Sequence, residues 1–516
     1  MHTHQNTPDV SLKDSDSARK GVVDVNEGEV TSYVEDVREL SDLDEAFQDA
    51  LGTKGIEIDP EKERALVRKI DWYIIPIMVA LNSCQLMDKS SNSYASIMGL
   101  LPDLNMTSYE YSWVGSAFYL GYLFFEYPAN LIIQRFPMAK VLSSAVILWG
   151  IVVAVHGACH TPATFLLCRT ILGCLESFLA PCFMIMTSQW YRKEEQYIRS
   201  ACWLGLQGFG TMLGSGIAYA FYNNQDAYTM APWRLLYFAL GSITIFFGII
   251  TAVHVPDLPT KAWFLNEEER SYCVERIRAN RTGFGNPHFK WSQLKEAMLD
   301  PCIYLFFFYM FGYGITNGAM GNFGSILLKN RFGFSTGPAL LMNMVGSGIN
   351  IVFPIMFAYI AKYIVKSRLI VGGFINCCVL MGVCLLAFCE NAHASLFGYY
   401  IIYWSTAGWA CMSSVISSNV GGHTKKITFN TLFLIGFAAG NLVGPQTLLG
   451  EEAPRYPTSG KVMASTYTMP ALEPIVLLFI YKKRNSTKVD NVDGDDTKLS
   501  FGDLTDIKNP VFKYIT

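Results

Sequence analysis

Charge is what this chain lacks through most of its length. Between residues 72 and 481, long apolar stretches contain hardly an Asp, Glu, Lys or Arg, and the 16% of charged residues gather at the ends and in short turns. With 51% hydrophobic residues, this is the profile of a polytopic membrane protein. A net charge of -3, with no basic arm or stripe, gives nucleic acid nothing to bind. No CxxC or Cys/His metal spacing occurs, and most of the thirteen cysteines, such as Cys168, Cys174, Cys377, Cys378 and Cys384, lie inside apolar spans, where a thiol behaves as a small hydrophobe. A loop disulfide involving Cys159 is the alternative use. Walker, nucleophile-elbow and HExxH motifs are missing, so neither ATP-driven transport nor hydrolysis has support and no enzyme is expected. The first 68 residues are polar, so a cleavable signal peptide is not expected and the first span directs insertion.

Hydrophobic segments of about 20 residues, each enough for roughly 30 Å, then recur. They fall near 72–94, 112–134, 140–158, 163–187, 200–221 and 233–254, and again near 302–323, 338–361, 368–389, 395–417, 427–449 and 462–481. The expected organisation is a disordered tail (1–68), a six-helix bundle (69–255), a linker carrying a surface helix from Asn266-Glu-Glu-Glu-Arg270 (256–300), a second six-helix bundle (301–482) and a C-terminal tail (483–516). A short basic turn follows span two (Arg135, Lys140) and span eight (Lys362, Lys366, Arg368), as an internal repeat requires. Lys and Arg concentrate in the loops on that side, which is therefore read as cytoplasmic, together with both termini. The sequon Asn105-Met-Thr107 then falls in the first external loop. Gly436, Gly440 and Gly444 in span eleven, and Gly210 and Gly214 in span five, make flat faces for close helix approach, either as plain packing or as gliding surfaces.

Against this background Arg169 and Glu176 stand out, seven residues apart on one face of span four. Ionisable groups at membrane depth cost roughly 2.5–3.5 kcal/mol each on insertion scales and call for a partner, a wet cavity or a task. Span one contributes Asp88 and Lys89. Lys89 lies about 25 Å above Trp72, and Arg169 about 9 Å below the opposite boundary, so the two cations share a depth. Two cations at one level suit an anionic substrate, and a carboxylate matches the planar fork of Arg169. Glu176, two turns deeper, is the candidate proton carrier, since desolvation disfavours its charged form. Asp88 is a second proton-coupling candidate or merely holds Lys89. The four charges neutralising one another as structural ion pairs is the competing reading.

Glu126, in the inner half of span two, reads as one member of a gate ion pair with a loop cation such as Arg135. Pro128 breaks the local helical ladder there. Asn317 with neighbouring Tyr313, and Asn343, are nominated as ligand contacts in the second half, with Tyr119, Trp203 and Gln207 in the first. Interhelical hydrogen bonding is the alternative for each. His156 and His160 have a metal-like spacing of four but no third ligand, which favours packing.

These residues resemble a family. Met87-Asp-Lys, Phe125-Glu-Tyr-Pro-Ala-Asn130, Arg169-Thr-Ile-Leu-Gly-Cys-Leu-Glu-Ser177, Gln189-Trp-Tyr-Arg192 and Gly440-Asn-Leu-Val-Gly-Pro-Gln446 together resemble the fungal allantoate permease family of anion:cation symporters, within the major facilitator superfamily, over about residues 65–480. The run Met87 to Gly99 and the tail Asp503-Leu-Thr-Asp506 look most like the yeast branch holding the cysteine permease and the thiamine-pathway transporter. The resemblance implies an all-α, twelve-helix fold and proton-coupled import of a small carboxylate, such as allantoate, ureidosuccinate, nicotinate, pantothenate, biotin or cysteine. By the same resemblance, Lys89 and Arg169 inherit substrate binding and Glu176 inherits proton coupling. Most family members have Asp-Arg where this chain has Asp88-Lys89, which replaces a bidentate fork by a point charge. The loop after span two departs from the general superfamily motif, and Glu473 between Pro470 and Pro474 makes the last span unusual.

The expected molecule is a monomer in the lipid bilayer, in the plasma membrane or alternatively the endoplasmic reticulum, with protons and a small organic anion as partners and no cofactor. A nutrient sensor built on a transporter fold and a passive uniporter are the other readings.

Overall fold

The computed structural model describes residues 59–278 (apart from 193, 194, 196–198, 200, 201 and 204), 290–488, 505–508 and 512–515. The tail expected over 1–68 falls mostly outside the described residues. Its last part, from Pro60, is already helix.

Helix starts are written locally. In α1 (Pro60–Ile97) the Asp59 side chain accepts from the Glu61 N–H, Pro60 fills the first turn, and Glu61 and Glu63 face the positive end of the helix dipole. A reciprocal box of Thr107 and Glu110 opens α2 (Ser108–Arg135). Then follow α3 (Met138–His156), α4 (Pro162–Glu176), α5 (Leu179–Trp190), α6 (Gln207–Asn223) and α7 (Pro232–His254). The linker holds α8 (Glu267–Arg278) and α9 (Trp291–Leu299). The second half comprises α10 (Pro301–Asn330), α11 (Thr336–Tyr359), α12 (Arg368–Phe388), α13 (Ala392–Ile402), α14 (Ser405–Asn419), α15 (His423–Val443) and α16 (Pro457–Ser486). The described residues contain no strand. The last span, of questionable regularity from its prolines, is one continuous 30-residue helix through Pro470 and Pro474.

Counting α4 with α5 and α13 with α14 as single broken rods gives six rods per half. By length and apolarity alone, eight helices among the described residues can cross a membrane, or nine if α9 and α10, bent by 68°, count together. The helices left out are α6, α13 and α14, which are individually short, and α2, which Ser, Tyr and Glu side chains make more polar.

The internal repeat is visible in the packing. Within the first half α1 packs on α6, α2 on α4 and α3 on α7; within the second, α10 packs on α15, α11 on α14 and α12 on α16. Numbered as successive rods, the pairings 1–5, 2–4 and 3–6 recur as 7–11, 8–10 and 9–12. Contacts between halves obey the same symmetry: α1 with α10, α6 with α11, and α2 with α15. Two matching six-helix bundles face each other across a pseudo-two-fold axis.

The glycine faces turn out to be seams inside each half. A Cβ on Gly436, Gly440 or Gly444 would strike the Phe307, Phe311 or Ile315 carbonyl of α10, and one on Gly210 would strike the Ser83 carbonyl of α1. They do not lie between the halves, so they offer no gliding surface there. Their lack of a side chain lets backbones touch.

Each half carries an ionic belt at its linker end. Arg276 of α8, 1% exposed, binds Glu63 (2.8 Å) and Glu195 (2.8 Å), and Lys62 and Lys69 of α1 pair with Glu268 and Glu269. In the second half Lys425, wholly buried, meets Asp506 (2.8 Å), Glu296 (3.1 Å) and Asp300 (3.3 Å), while Arg484 binds Asp300 at 2.7 Å. Burial works against the charge of Asp300, yet the Arg484 hydrogen bond and both cations hold its carboxyl below the ordinary value. Lys425 is likewise penalised by burial but raised on balance by Asp506 and Asp300. The chain end takes part: Asn485 and Asn419 each exchange two hydrogen bonds with the backbone of Tyr514 and Ile515, and Tyr514 donates to Asp506. The described segments 505–508 and 512–515 thus strap α9, α14, α15 and α16, in a stretch read from sequence as a cytoplasmic tail.

Among the described residues the hydrogen bonds between halves fall away from the linker. They include Asn92 to Asn322 (3.4 Å), the Tyr111 hydroxyl to the Asn322 carbonyl (2.7 Å), Ser93 to Ser325 (2.9 Å), Ser112 and Ser116 to Gln446 (3.1 and 2.9 Å), Thr211 to Ser347 (2.9 Å), Ser215 to the Leu340 carbonyl (2.5 Å) and Lys329 to the Ile97 carbonyl (3.3 Å). The molecule is closed on the side far from the linker.

Candidate functional site

Between the halves lies a cavity of about 160 Å³, room for a small solute rather than a single water. The first half lines it with Lys89, Asn92, Tyr119, Arg169 and Thr211. Opposite stand Asn317, Asn322, Asn343, Asn350, Asn441 and Thr406. One wall is cationic and aromatic; the other is made of amides and hydroxyls.

Glu176 is the last residue of α4, where Ser177 and Phe178 interrupt the rod before α5. Its carboxylate, 0% exposed, is 3.7 Å from the Lys89 ammonium. Neither oxygen accepts a hydrogen bond of normal geometry, although Gln85 flanks them. Lys89 also sits 5.1 Å from the centre of the Phe118 ring, a second source of negative potential. The equivalent rod of the second half is interrupted at Tyr403 and Trp404, and Tyr403, Ser405 and Thr406 there reach the cavity. Broken rods facing a central cavity are a recurrent way of exposing polar groups at membrane depth.

Arg169 is 1% exposed and held from three sides. Its guanidinium donates to the Tyr237 hydroxyl (2.7 Å), the Ser91 hydroxyl (3.2 Å) and the Asp88 carbonyl (3.5 Å), and lies over the Phe165 and Tyr237 rings. Tyr237 passes the connection on to the Asn92 side chain at 3.0 Å. Arg169 Nε has no partner. It lines the cavity, yet no carboxylate neutralises it at salt-bridge distance among the described residues.

Asp88 departs from expectation. Successive helix residues point about 100° apart, so Asp88 faces away from Lys89 into α3 and α7, where it accepts from Trp149 (2.7 Å) and Thr244 (3.5 Å). It does not hold Lys89; Glu176 does. The Glu126–Arg135 gate pair is also not formed. The two lie nine residues apart on α2, which places them on opposite faces of the helix, and Arg135 is exposed at its end. Among the described residues Glu126 has no ion-pair partner; the Asn130 amide takes its backbone carbonyl instead (2.9 Å).

The remaining nominees divide. Tyr119, Asn317 and Asn343 line the cavity, with Asn343 also bonded to Ser325 at 2.9 Å. Tyr313 lies behind it, packed on Trp409 and Phe437. Trp203 is buried against Phe183, its carbonyl taken by Asn82, and Gln207 begins α6 off the cavity wall. Both lie too near the linker end of their rod to reach the cavity. His156 is enclosed by Phe165 and Tyr237, and no group able to hold a metal exists among the described residues. Asn92, Asn322, Asn350, Asn441 and Thr406 went without nomination because an isolated amide or hydroxyl in a span carries no signal of where it points. Their convergence on rods repeated in the two halves becomes visible only in three dimensions.

Residues 78–467 match the family model of the Major Facilitator Superfamily. An uncharacterized transporter of Schizosaccharomyces pombe is 39% identical, with 98% of each chain covered. The allantoate permease of Saccharomyces cerevisiae is 38% identical over 92% of this chain and 90% of its own, and the thiamine pathway transporter of the same yeast 30% identical over 87% and 86%. Among solved structures, a bacterial homolog of the lysosomal transporter Spinster, in an inward-facing and occupied conformation, has a TM-score of 0.60 at 12% identity, covering 80% of this chain and 96% of that one. A D-xylose-proton symporter has a TM-score of 0.59 at 13% identity, covering 78% and 97%. The chain belongs to the major facilitator superfamily, as a multi-pass membrane transporter of the fungal allantoate-permease-like type and not an enzyme.

Proposed function

We propose that the protein imports a small organic anion together with a proton by alternating access. The observation that carries this reading is the Lys89–Glu176 pair beside the cavity, in which Glu176 has no other bonded partner. A largely buried ammonium, 24% exposed at the cavity, requires a counter-charge. In the empty carrier Glu176 supplies it. When Glu176 takes a proton, Lys89 is left uncompensated and attracts a carboxylate, so proton and anion enter as a neutral sum. Arg169, already oriented by Tyr237 and Ser91 and lining the same cavity, is the second cation for that anion. The opposite amide wall suits a carboxylate that bears further hydrogen-bonding groups. The similarity to a protein named allantoate permease makes allantoate the first substrate to try.

In this reading the linker side faces the cytoplasm with both termini, the closed far side faces out, and the protein works as a monomer in the plasma membrane. The test is uptake of radiolabelled allantoate, followed by a panel of small carboxylates, into proteoliposomes bearing an imposed proton gradient. Glu176→Gln is expected to lose uphill accumulation while retaining exchange of labelled for unlabelled substrate, and Arg169→Ala to lose both. Undiminished gradient-driven accumulation by Glu176→Gln would sink the coupling role.

A further inference from the structure

A second carboxyl group lies in the second half, behind the cavity. Glu473 is 3% exposed on α16, and both of its oxygens lack a hydrogen-bond partner. No cation pairs with it among the described residues, and no charged neighbour counters its burial. The titratable group that feels it is Tyr309 of α10; the others on the elements packed there are Cys411 of α14 beside Tyr309, Cys377 of α12 against the Ala471 carbonyl, and Tyr467 earlier on α16. None of these is a base that would hold a carboxylate charged.

Two further features give this position a use. Pro474 has no N–H, so the Pro470 carbonyl, one turn before Glu473, is left without its helical donor. It is an unused acceptor on the same stretch of helix. A polar column also leads from the cavity towards Glu473. Asn317, Tyr313 and Tyr309 succeed one another at intervals of four on α10; Tyr313 faces Ser405 and Thr406 of the cavity wall; Tyr309 and Tyr467 both bond the Asn376 side chain, at 3.3 and 3.2 Å; and Tyr309 is within electrostatic range of Glu473.

We propose that Glu473 is a second proton-binding site of the transport cycle, exchanging its proton with cavity water along the Tyr313–Tyr309 column. In the step, a hydronium ion at the cavity wall gives up its proton, the hydroxyl column relays it without net change, and the Glu473 carboxylate becomes a neutral acid. The proton leaves by the reverse route when the cavity opens to the other side. The proposal rests on the reading of the chain as a proton-coupled carrier, but not on the part given to Glu176.

The test needs no substrate. Infrared difference spectra of the full-length protein in lipid, stepped through pH, report the carbonyl stretch of protonated carboxyl groups. Glu473→Gln, a neutral isostere, is expected to remove one band that titrates in the wild type, and Glu176→Gln a different one. A band from Glu473 that does not change with pH, or no band assignable to it, overturns the proposal; a titrating Glu473 band with no titrating band lost in Glu176→Gln would instead count against the coupling role given above. Tyr309→Phe, which keeps Glu473 in place, is expected to slow deuterium exchange at the Glu473 band by about tenfold or more. An unchanged rate rejects the column as its route.

Discussion

At the level of single residues, the site rests on one soft ion pair and one rigid cation. Lys89 and Glu176 touch at 3.7 Å, and removing Lys89 leaves the fully buried Glu176 carboxylate stranded. Lys89→Met should therefore destabilise the folded protein by about 3 kcal/mol, whereas Lys89→Met combined with Glu176→Gln should recover most of that loss. Thermal unfolding of the purified variants in one detergent measures both, and a double variant no more stable than the single one would show that the pair is not energetically coupled. The presence of Arg169, Glu176 and Lys89 was legible in sequence because charge in an apolar span is conspicuous. The direction of Asp88 was not, since a one-residue step turns a side chain through a quarter of the helix. Nor was the absence of an ion-pair partner for Glu126 among the described residues, because loop cations are numerous and sequence gives no measure of reach.

At the level of helices, the seams between α10 and α15 and between α1 and α6 depend on the absence of side chains. A methyl group at Gly440 would meet the Phe311 carbonyl, whereas one at Gly216 would meet only the Met344 methyl at 3.9 Å. Gly440→Ala is thus expected to lower stability by about 1–3 kcal/mol, with Gly216→Ala near neutral, as read by unfolding temperature or by the folded fraction in size-exclusion chromatography. The number and order of spans were readable from hydropathy, and the seven-residue spacing placed Arg169 and Glu176 on one rod. The breaks at Ser177 and at Tyr403 were not readable, because neither carries a Pro or Gly; they arise where tertiary packing at the cavity overrides continuous helix.

For the whole molecule, the linker-side belt of the second half makes stability depend on pH in a definite sense. Asp300 is held below its ordinary value of 3.8, so its contribution is fully present above that value and is lost as pH falls through its lower, folded-state value. Lys425 is raised above 10.5, so its contribution is present below that value and lost only as pH climbs through the higher folded-state one. Between these limits the belt is intact. Acid unfolding monitored by tryptophan fluorescence should be less steep in Asp300→Asn than in the wild type, from a lower starting stability; identical acid limbs would remove Asp300 from the account. Deleting residues 505–516 should lower the unfolding temperature without altering substrate affinity, since the described strap segments touch the linker ends of α9, α14, α15 and α16 and none of their residues lines the cavity.

The seam that closes the far side is built from serine, threonine, tyrosine, asparagine and glutamine, with one lysine bonded only to a carbonyl, and no ion pair among the described residues joins one half to the other. Hydroxyl and amide contacts of this kind are worth about 1 kcal/mol each and are exchanged almost evenly for water when the seam parts. The balance between the two faces of the carrier should accordingly be nearly blind to ionic strength. Salt will act on the belts that hold each half together, leaving the choice of which way the molecule opens to the cargo and its protons.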